Sequence, residues 1–223
     1  IHDVAIQKLG GTFAIDRAGV VGADGPTHHG AFDLAFLGMV PGFTLSAPAN
    51  QQDLKSELEQ AVRSGRPWAI RFPRGSGPES SDMSLSAHGV RVLQEVPSPQ
   101  VIVVALGMSA GRAQAAVRLA DPGASAVTLL GVIRAKPISA ELVRRLDACP
   151  SAKVLVIEDG SLRGGFGQAL CALLSARSAR PVLAGYGDHF VPQGAPAVLE
   201  DLEGVSVQAL TGKIAGLLNE KAH

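Results

Sequence analysis

The sequence has few aromatic residues, no excess of charge of either sign and no long hydrophobic run. Aromatic residues make up 4% of the 223 residues and hydrophobic residues 46%, so we expect a core of small aliphatic side chains, as in α/β sheets. Lysine plus arginine equals aspartate plus glutamate, at 20 each. This balance gives no indication of a nucleic-acid or acidic-membrane surface. No apolar run approaches the ~20 residues of a membrane span.

Cysteine is also scarce. Cys149 and Cys171 are the only two in the chain, and their separation is not that of metal ligands. Because the sequence is otherwise typical of a cytosolic protein, we do not expect a disulfide between them. We therefore expect a cytoplasmic protein with neither nucleic acid nor a membrane as a partner.

The remaining pattern alternates strands with helices and predicts two α/β units. We assign residues 1–78 to the first unit, 79–100 to a linker rich in Ser, Gly and Pro, and 101–223 to the second. The predicted strands are 11–16, 43–47, 67–73, 90–96, 101–106, 125–130, 153–157 and 180–184. The predicted helices are 1–8, 30–38, 51–64, 109–119, 139–146, 166–176 and 205–218. Residues 1–8 are typical of a helix end and the first residue is Ile, so we expect the sequence to begin inside a longer polypeptide.

A glycine-rich loop after the first predicted strand has the composition of an active site. It carries a cation, a carboxylate and two imidazoles: Arg17, Asp24, His28 and His29. Glycine allows the backbone to approach a ligand closely. Ligands of α/β sheets bind beyond the carboxyl ends of the strands, where this loop lies.

Two arginines follow two predicted strands directly. Arg17 follows strand 11–16 and Arg74 follows strand 67–73, so parallel pairing would bring both to one edge of the sheet. Two guanidinium groups there would bind a phosphate in bidentate fashion. The alternative is an internal salt bridge of arginine with Asp16 or Asp33, and the residues alone leave both interpretations open. Arg71 alternates away from this pair and is expected to face elsewhere.

Asp24 and His28 lie four residues apart on the loop, so their side chains could converge on one small ligand. A carboxylate orients hydroxyl groups, and an imidazole transfers protons near neutral pH. For His29, a solvated side chain is the expectation.

Residues 16–33 resemble the signature of the 1-deoxy-D-xylulose-5-phosphate synthase family, thiamine-diphosphate enzymes of the transketolase superfamily. Three further segments resemble this family in the same order: 46–50, 70–75 and 158–167. The resemblance implies part of a parallel-sheet pyrimidine-binding domain followed by a transketolase C-terminal α/β domain. It also implies the condensation of pyruvate, with decarboxylation, and D-glyceraldehyde 3-phosphate, the first step of non-mevalonate isoprenoid synthesis.

The resemblance also implies roles for single residues and partners. Arg17 and Arg74 would hold the substrate phosphate, and His28 would contact substrate hydroxyls and relay protons, with Asp24 beside it. Thiamine diphosphate and Mg²⁺ would be bound mainly by an amino-terminal part of the same protein, outside this sequence, and the enzyme would be a homodimer. The segment alone is expected to be inactive and to bind neither cofactor nor metal.

Two features require separate interpretation. Asp24 and Asn50 have nearly the spacing of the Gly-Asp-Gly…Asn motif that holds magnesium in thiamine-diphosphate enzymes. However, Ala23 replaces the first glycine and Asn50 lies where a helix cap is expected, so we reject them as metal ligands. The segment 158–167 opens a helix and could bind an anion, but we favour glycines that allow tight packing at an intersubunit contact.

Two other functions remain alternatives at this point. One is another transketolase-like enzyme, such as transketolase itself or the β-subunit of a 2-oxo acid dehydrogenase. The other is a non-catalytic module whose second α/β unit serves only for dimerisation.

Overall fold

The computed structural model describes residues 1–79, 89–174 and 180–220. The first unit opens with a short π-helix, His2–Ile6, and contains a 3₁₀ turn, Gly22–Asp24. Its other elements are β1 (Gly11–Ile15), α1 (Asp33–Gly38), β2 (Thr44–Ser46), α2 (Gln51–Ser64) and β3 (Pro67–Arg71).

The second unit contains six strands and five helices in its described part. The strands are β4 (Val90–Gln94), β5 (Val101–Leu106), β6 (Val127–Val132), β7 (Arg134–Lys136), β8 (Lys153–Ser161) and β9 (Val182–Tyr186). The helices are α3 (Ser109–Ala120), α4 (Ala140–Asp147), α5 (Phe166–Leu173), α6 (Pro196–Leu202) and α7 (Val207–Asn219).

These strands form two sheets, which confirms the predicted α/β class. The first sheet has the order β1-β3-β2-β7 and the second β4-β6-β5-β8-β9. Pairing is parallel except for β2 with β7 and β4 with β6, which are antiparallel. Every residue of β5 and β6 is buried, as expected of strands covered on both faces. Two apolar clusters cover the second sheet, and one of them continues into α1 and β2 of the first unit.

Local signals located α2 correctly. The Asn50 side chain accepts the N–H of Asp53 at 2.7 Å, and Gly65 ends the helix with a left-handed φ of 59°. Both are the cap residues that helices prefer. The buried face of α2 nevertheless carries two carboxylates. Asp53 pairs with Arg91 of β4, and Glu57 pairs with Arg134 of β7.

Two elements were not predicted. Strand β7 is three residues long and pairs antiparallel with β2, so the second unit adds an edge strand to the first sheet. Three residues are too few to show the alternation of a strand in sequence. Arg134–Lys136 is a strand only because it pairs with β2. Helix α6 has seven residues and one buried side chain, Leu199, too little for a helical pattern to emerge.

The predicted boundaries between the units stay a prediction. The linker 79–100 contains β4, and residues 80–88 of it lie outside the described residues, as do residues 175–179 at the end of the predicted helix 166–176. Cys149 and Cys171, both in the described part of the chain, form no disulfide. Within the described residues, each helix is too short or too polar to cross a membrane.

Candidate active site

The carboxyl ends of β1 and β3 lie side by side, because the two strands pair in parallel with Ile15 opposite Arg71. Arg17 and Arg74 follow these ends, and both reach one carboxylate oxygen. Arg17 Nη1 lies 3.3 Å from Asp24 Oδ2, and Arg74 Nη1 lies 2.5 Å from the same atom. The side chains are 35% and 58% exposed, so solvent and small ions have access to them.

The internal salt bridges considered from the sequence are only partly present. Arg17 Nε lies 3.6 Å from Asp16 Oδ2, a loose ion pair. Asp33 instead pairs with Arg71. Asp24, which the sequence placed beside His28, is therefore the main partner of both Arg17 and Arg74.

The backbone of Arg17 is held in a left-handed conformation, with φ of 61°. The N–H of Gly30 donates to the carbonyl of Arg17 at 2.9 Å, and the N–H of Ala18 donates to the carbonyl of Phe72 at 2.9 Å. A Cβ atom on Gly30 would lie 2.4 Å from the Arg17 oxygen. Only glycine fits there, and it closes the loop 17–30 at its base.

His28 is exposed, and its Nδ1 lies 2.9 Å from Thr27 Oγ1. The structure thus places His28 on the same loop as Asp24, with its ring directed to Thr27 while Asp24 contacts the arginines. The role of each as a site residue stays a prediction.

The prediction that His29 is solvated is wrong. The N–H of Val21 donates to His29 Nδ1 at 3.0 Å, and His29 Nε2 lies 3.1 Å from the carbonyl oxygen of Pro192. Because Nδ1 accepts, the proton of the neutral ring belongs on Nε2, which then donates to Pro192. Pro192 is 163 residues away in sequence, so no local pattern could reveal this bridge.

Arg71 faces away from the exposed pair, as its alternation on β3 indicated, and its side chain is 3% exposed. Its guanidinium donates to Asp33 Oδ2 at 2.8 Å, to the carbonyl of Gly30 at 3.0 Å and to the carbonyl of Asp159 at 2.7 Å. Burial alone would lower the pKa of Arg71, but the Asp33 carboxylate raises it above its usual value. Sequence patterns assigned no role to this buried cation.

Asp159 connects Arg71 to a second set of ion pairs, which lies in the second unit. Its carboxylate pairs with Arg112, which also donates to Glu200 at 2.8 Å. Burial disfavours the charge of Arg112, yet these two carboxylates raise its pKa above the usual value. For Tyr186, burial itself raises the pKa well above its ordinary value, so the phenol is neutral at physiological pH. Its hydroxyl lies against Gly19, where a Cβ atom would approach it to 3.2 Å.

In the segment 158–167, the carboxyl group of Glu158 occupies the start of α5. Glu158 Oε2 accepts the N–H of Phe166 at 2.8 Å, and Oε1 accepts the N–H of Gly167 at 2.9 Å. Burial raises the pKa of Glu158 to about 7, although these two N–H groups oppose the shift. A Cβ atom on Gly165 would lie 2.5 Å from the carboxylate. The glycines therefore provide tight packing within the chain, and the intersubunit contact stays a prediction.

The residues that resemble a magnesium motif do not fit a magnesium–diphosphate site. Asp24 is engaged by two guanidinium groups, whose positive charge repels a divalent cation. Asn50 uses its side-chain oxygen to cap α2.

Comparison with known proteins matches both units. The family model described as "Transketolase, pyrimidine binding domain" matches residues 1–79, and "Transketolase, C-terminal domain" matches residues 90–210. The 1-deoxy-D-xylulose-5-phosphate synthase of Chlorobium phaeovibrioides is 39% identical over 221 residues, covering 96% of this chain and 34% of that protein. 1-Deoxy-D-xylulose-5-phosphate synthase 2 of Geobacter sulfurreducens is 35% identical, covering 97% of this chain and 35% of that protein.

A solved structure described as "Split gene transketolase, inactive beta4 tetramer" superposes with a TM-score of 0.81 at 25% identity, covering 96% of this chain and 69% of that one. These matches confirm the resemblance that residues 16–33 indicated and the two domain types. The chain spans about a third of the length of the curated relatives it matches, 34% and 35% for the two named.

Proposed function

The chain belongs to the transketolase family, and from that premise we propose that it forms the acceptor-binding part of a synthase dependent on thiamine diphosphate. The enzyme would join pyruvate, with loss of CO₂, to D-glyceraldehyde 3-phosphate and form 1-deoxy-D-xylulose 5-phosphate, an isoprenoid precursor. One observation carries this proposal: Arg17 and Arg74 reach the same carboxylate oxygen at an accessible sheet edge.

In this arrangement the Asp24 carboxylate stands in for a phosphate. Guanidinium groups bind carboxylate and phosphate oxygens in the same way, so a substrate phosphate would exchange with Asp24 between the two arginines. The doubly charged phosphate has more acceptor oxygens than the carboxylate, so it would displace Asp24 from the two arginines. Once displaced, Asp24 would be available to orient hydroxyl groups of the bound acceptor.

His28 would transfer protons to and from the same bound acceptor. It lies four residues after Asp24, it is exposed, and a neutral imidazole both accepts and donates a proton near neutral pH. The acceptor's carbonyl oxygen must take up a proton when the new carbon–carbon bond forms. We assign that proton transfer to His28, with Thr27 Oγ1 orienting its ring.

Thiamine diphosphate and Mg²⁺ would be bound mainly by the amino-terminal part of the same protein, since Asp24 and Asn50 do not fit a metal site. We propose that this part packs against the chain, that the assembly is a cytoplasmic homodimer, and that the segment alone is inactive. Exposed apolar side chains support packing of this kind. Phe36 is 55% exposed, Met39 73% and Leu173 53%, and all three border one groove of about 770 Å³.

A second candidate is a chain of a split-gene transketolase. The split-gene transketolase chain favours it, because this chain covers 69% of that chain but only about a third of the curated synthases. Both candidates use a phosphate-bearing sugar, so the arginine pair serves either. Donor choice separates them: the synthase consumes pyruvate, whereas a transketolase takes a two-carbon unit from a ketose phosphate.

The assembled enzyme provides the test. In Arg74→Ala and Arg17→Ala, we expect the KM for D-glyceraldehyde 3-phosphate to rise about ten- to hundredfold, since a hydrogen bond to a charged group contributes about 1.5–3 kcal/mol. The pyruvate-dependent first step should proceed at the normal rate. An unchanged acceptor KM in both variants would refute the phosphate clamp.

His28→Asn tests the proton transfer in the same assay. We expect kcat to fall by about 10² to 10⁴, the usual contribution of general acid–base catalysis, while the acceptor KM changes little. A loss in KM with kcat preserved would instead assign His28 to binding.

A further inference from the structure

The segment between β9 and α6, residues 187–195, lies across the loop that carries Asp24 and His28. His29 Nε2 lies 3.1 Å from the carbonyl oxygen of Pro192, and Gln193 Nε2 donates to the carbonyl of Ala23 at 2.9 Å. The partners are 163 and 170 residues apart in sequence. We call residues 187–195 the crossing segment.

Close packing accompanies these two hydrogen bonds. A Cβ atom on Gly22 would lie 3.2 Å from the Gly194 oxygen and 3.1 Å from Pro196, at a φ of +79°. At the far end of the loop, the rings of Phe32 and Phe190 meet edge to face with their centroids 5.9 Å apart. The crossing segment therefore contacts the 3₁₀ turn Gly22–Asp24 directly and also the residues that follow the loop.

The crossing segment is itself anchored in the second unit. The buried carboxylate of Glu203 accepts the N–H of Gly187 at 3.1 Å and lies 2.7 Å from His189 Nε2. Val191 is 2% exposed, and the Leu199 side chain packs against Gly194. An anchored segment restrains what it contacts, so the second unit limits the positions open to the loop.

We propose that the crossing segment positions Asp24 for acceptor binding, acting through His29 and Gln193. Ala23, whose carbonyl Gln193 holds, directly precedes Asp24. Val21, whose N–H the His29 ring holds, precedes the turn Gly22–Asp24. One bond holds the residue before the turn and the other holds its middle residue, so together they set where the Asp24 carboxylate lies relative to the hydroxyl groups of a bound acceptor. This proposal rests on the proposed function, because it assigns positioning residues to that same acceptor site.

The test uses Gln193→Ala and His29→Phe in the assembled enzyme, with Gln7→Ala as the matched control. Gln7 also donates from its side chain to a backbone carbonyl, that of His2, and it precedes β1 whereas the loop follows β1. We expect each of the two variants to raise the acceptor KM about two- to tenfold, as loss of one neutral hydrogen bond does. The rate of the pyruvate-dependent first step should stay unchanged, and amide hydrogen exchange should accelerate in residues 19–30. Gln7→Ala should change neither the acceptor KM nor the amide hydrogen exchange of residues 19–30.

A double-mutant cycle shows whether the effect passes through Asp24. In an Asp24→Ala background, Gln193→Ala should cause no further rise in the acceptor KM. The same fold-change in both backgrounds, or an unchanged KM in both Gln193→Ala and His29→Phe, would overturn the proposal. If Arg74→Ala raises the KM in the same assay, such a result refutes the positioning role alone. If Arg74→Ala is also without effect, the proposed function fails as well.

Discussion

Arg71 and Arg74 lie three residues apart at the end of β3, yet their surroundings are opposite. The Arg71 side chain is 3% exposed and donates to one carboxylate and two carbonyls of the protein. The Arg74 side chain is 58% exposed and shares a single carboxylate with Arg17. A cation whose donors are satisfied inside the protein maintains the structure. A cation whose partner a substrate can displace is able to bind that substrate.

Asp33 and Asp24, the carboxylates that pair with these two arginines, differ in the same way. Asp33 is buried in the first turn of α1, where its Oδ1 also accepts the N–H of Leu34 at 2.9 Å. The Asp24 side chain is 31% exposed and lies at the end of the 3₁₀ turn Gly22–Asp24. Arg71 of the buried pair thus connects the first unit to the carbonyl of Asp159 in the second, whereas Asp24 is accessible to solvent.

The largest effect is expected on the stability of the fold, from a change at the buried ion pair of Arg71 and Asp33. Arg71→Met would leave the Asp33 carboxylate buried without its counter-ion, so the free energy of unfolding should fall by about 3–5 kcal/mol. Arg74→Met is the matched control, and at this exposed position the change should stay within about 0.5 kcal/mol. Urea unfolding of both variants measures the difference. Equal losses would mean that the two arginines do not differ in the way their burial indicates.

The buried side also predicts a pH dependence. Burial raises the pKa of Glu158 from 4.5 to about 7, so the folded chain binds more protons than the unfolded chain between these values. The contribution of Glu158 to the free energy of unfolding is therefore fully present below pH 4.5 and is lost as pH rises through about 7. The difference approaches about 3 kcal/mol at most.

Glu158→Gln should remove this slope while keeping a similar side-chain shape. Urea unfolding at pH 5 and pH 8 provides the measurement, and the quantity of interest is the change between the two pH values. The wild type should lose more stability than the variant on going from pH 5 to pH 8. Parallel losses would exclude Glu158 as the titrating group.

The smallest effect is expected at the exposed carboxylate. Asp24→Asn should tighten the binding of inorganic phosphate by up to about fivefold, because it removes an exposed ion pair of about 0.2–1 kcal/mol that competes for Arg17 and Arg74. Asp33→Asn, the matched change on the buried side, should lower stability without this gain. NMR titration with phosphate measures the affinity, and weaker binding by Asp24→Asn would show that Asp24 assists the anion rather than standing in for it.

Local patterns predicted most elements well. Helix α2 followed from Asn50, Gly65 and the apolar spacing between them, and β5 and β6 followed from short aliphatic runs. Each of these signals involves residues close together in the chain. Strand β7 was not predicted because only its pairing with β2 makes it a strand. That pairing joins residues about 90 positions apart in the sequence.

The candidate site was predicted only in part for the same reason. Arg17 and Arg74 were found because both follow strands and parallel strand ends share an edge. The roles of His29, Arg71 and Glu158 were missed or only partly seen. The His29 bridge to Pro192 and the bond from Arg71 to Asp159 join distant segments, and whether the Glu158 carboxylate is buried depends on the whole fold.

The sequence by itself determined the α/β class, the helix caps and the presence of two cations, a carboxylate and an imidazole near strand ends. These depend on backbone propensity and on periodicity over a few residues. Only the tertiary structure decided that Asp24 lies between the two arginines and that the second unit crosses the loop beside it. Burial and long-range contacts arise only when the two sheets pack together. The same residue type therefore forms a buried ion pair at Arg71 and an accessible one at Arg74.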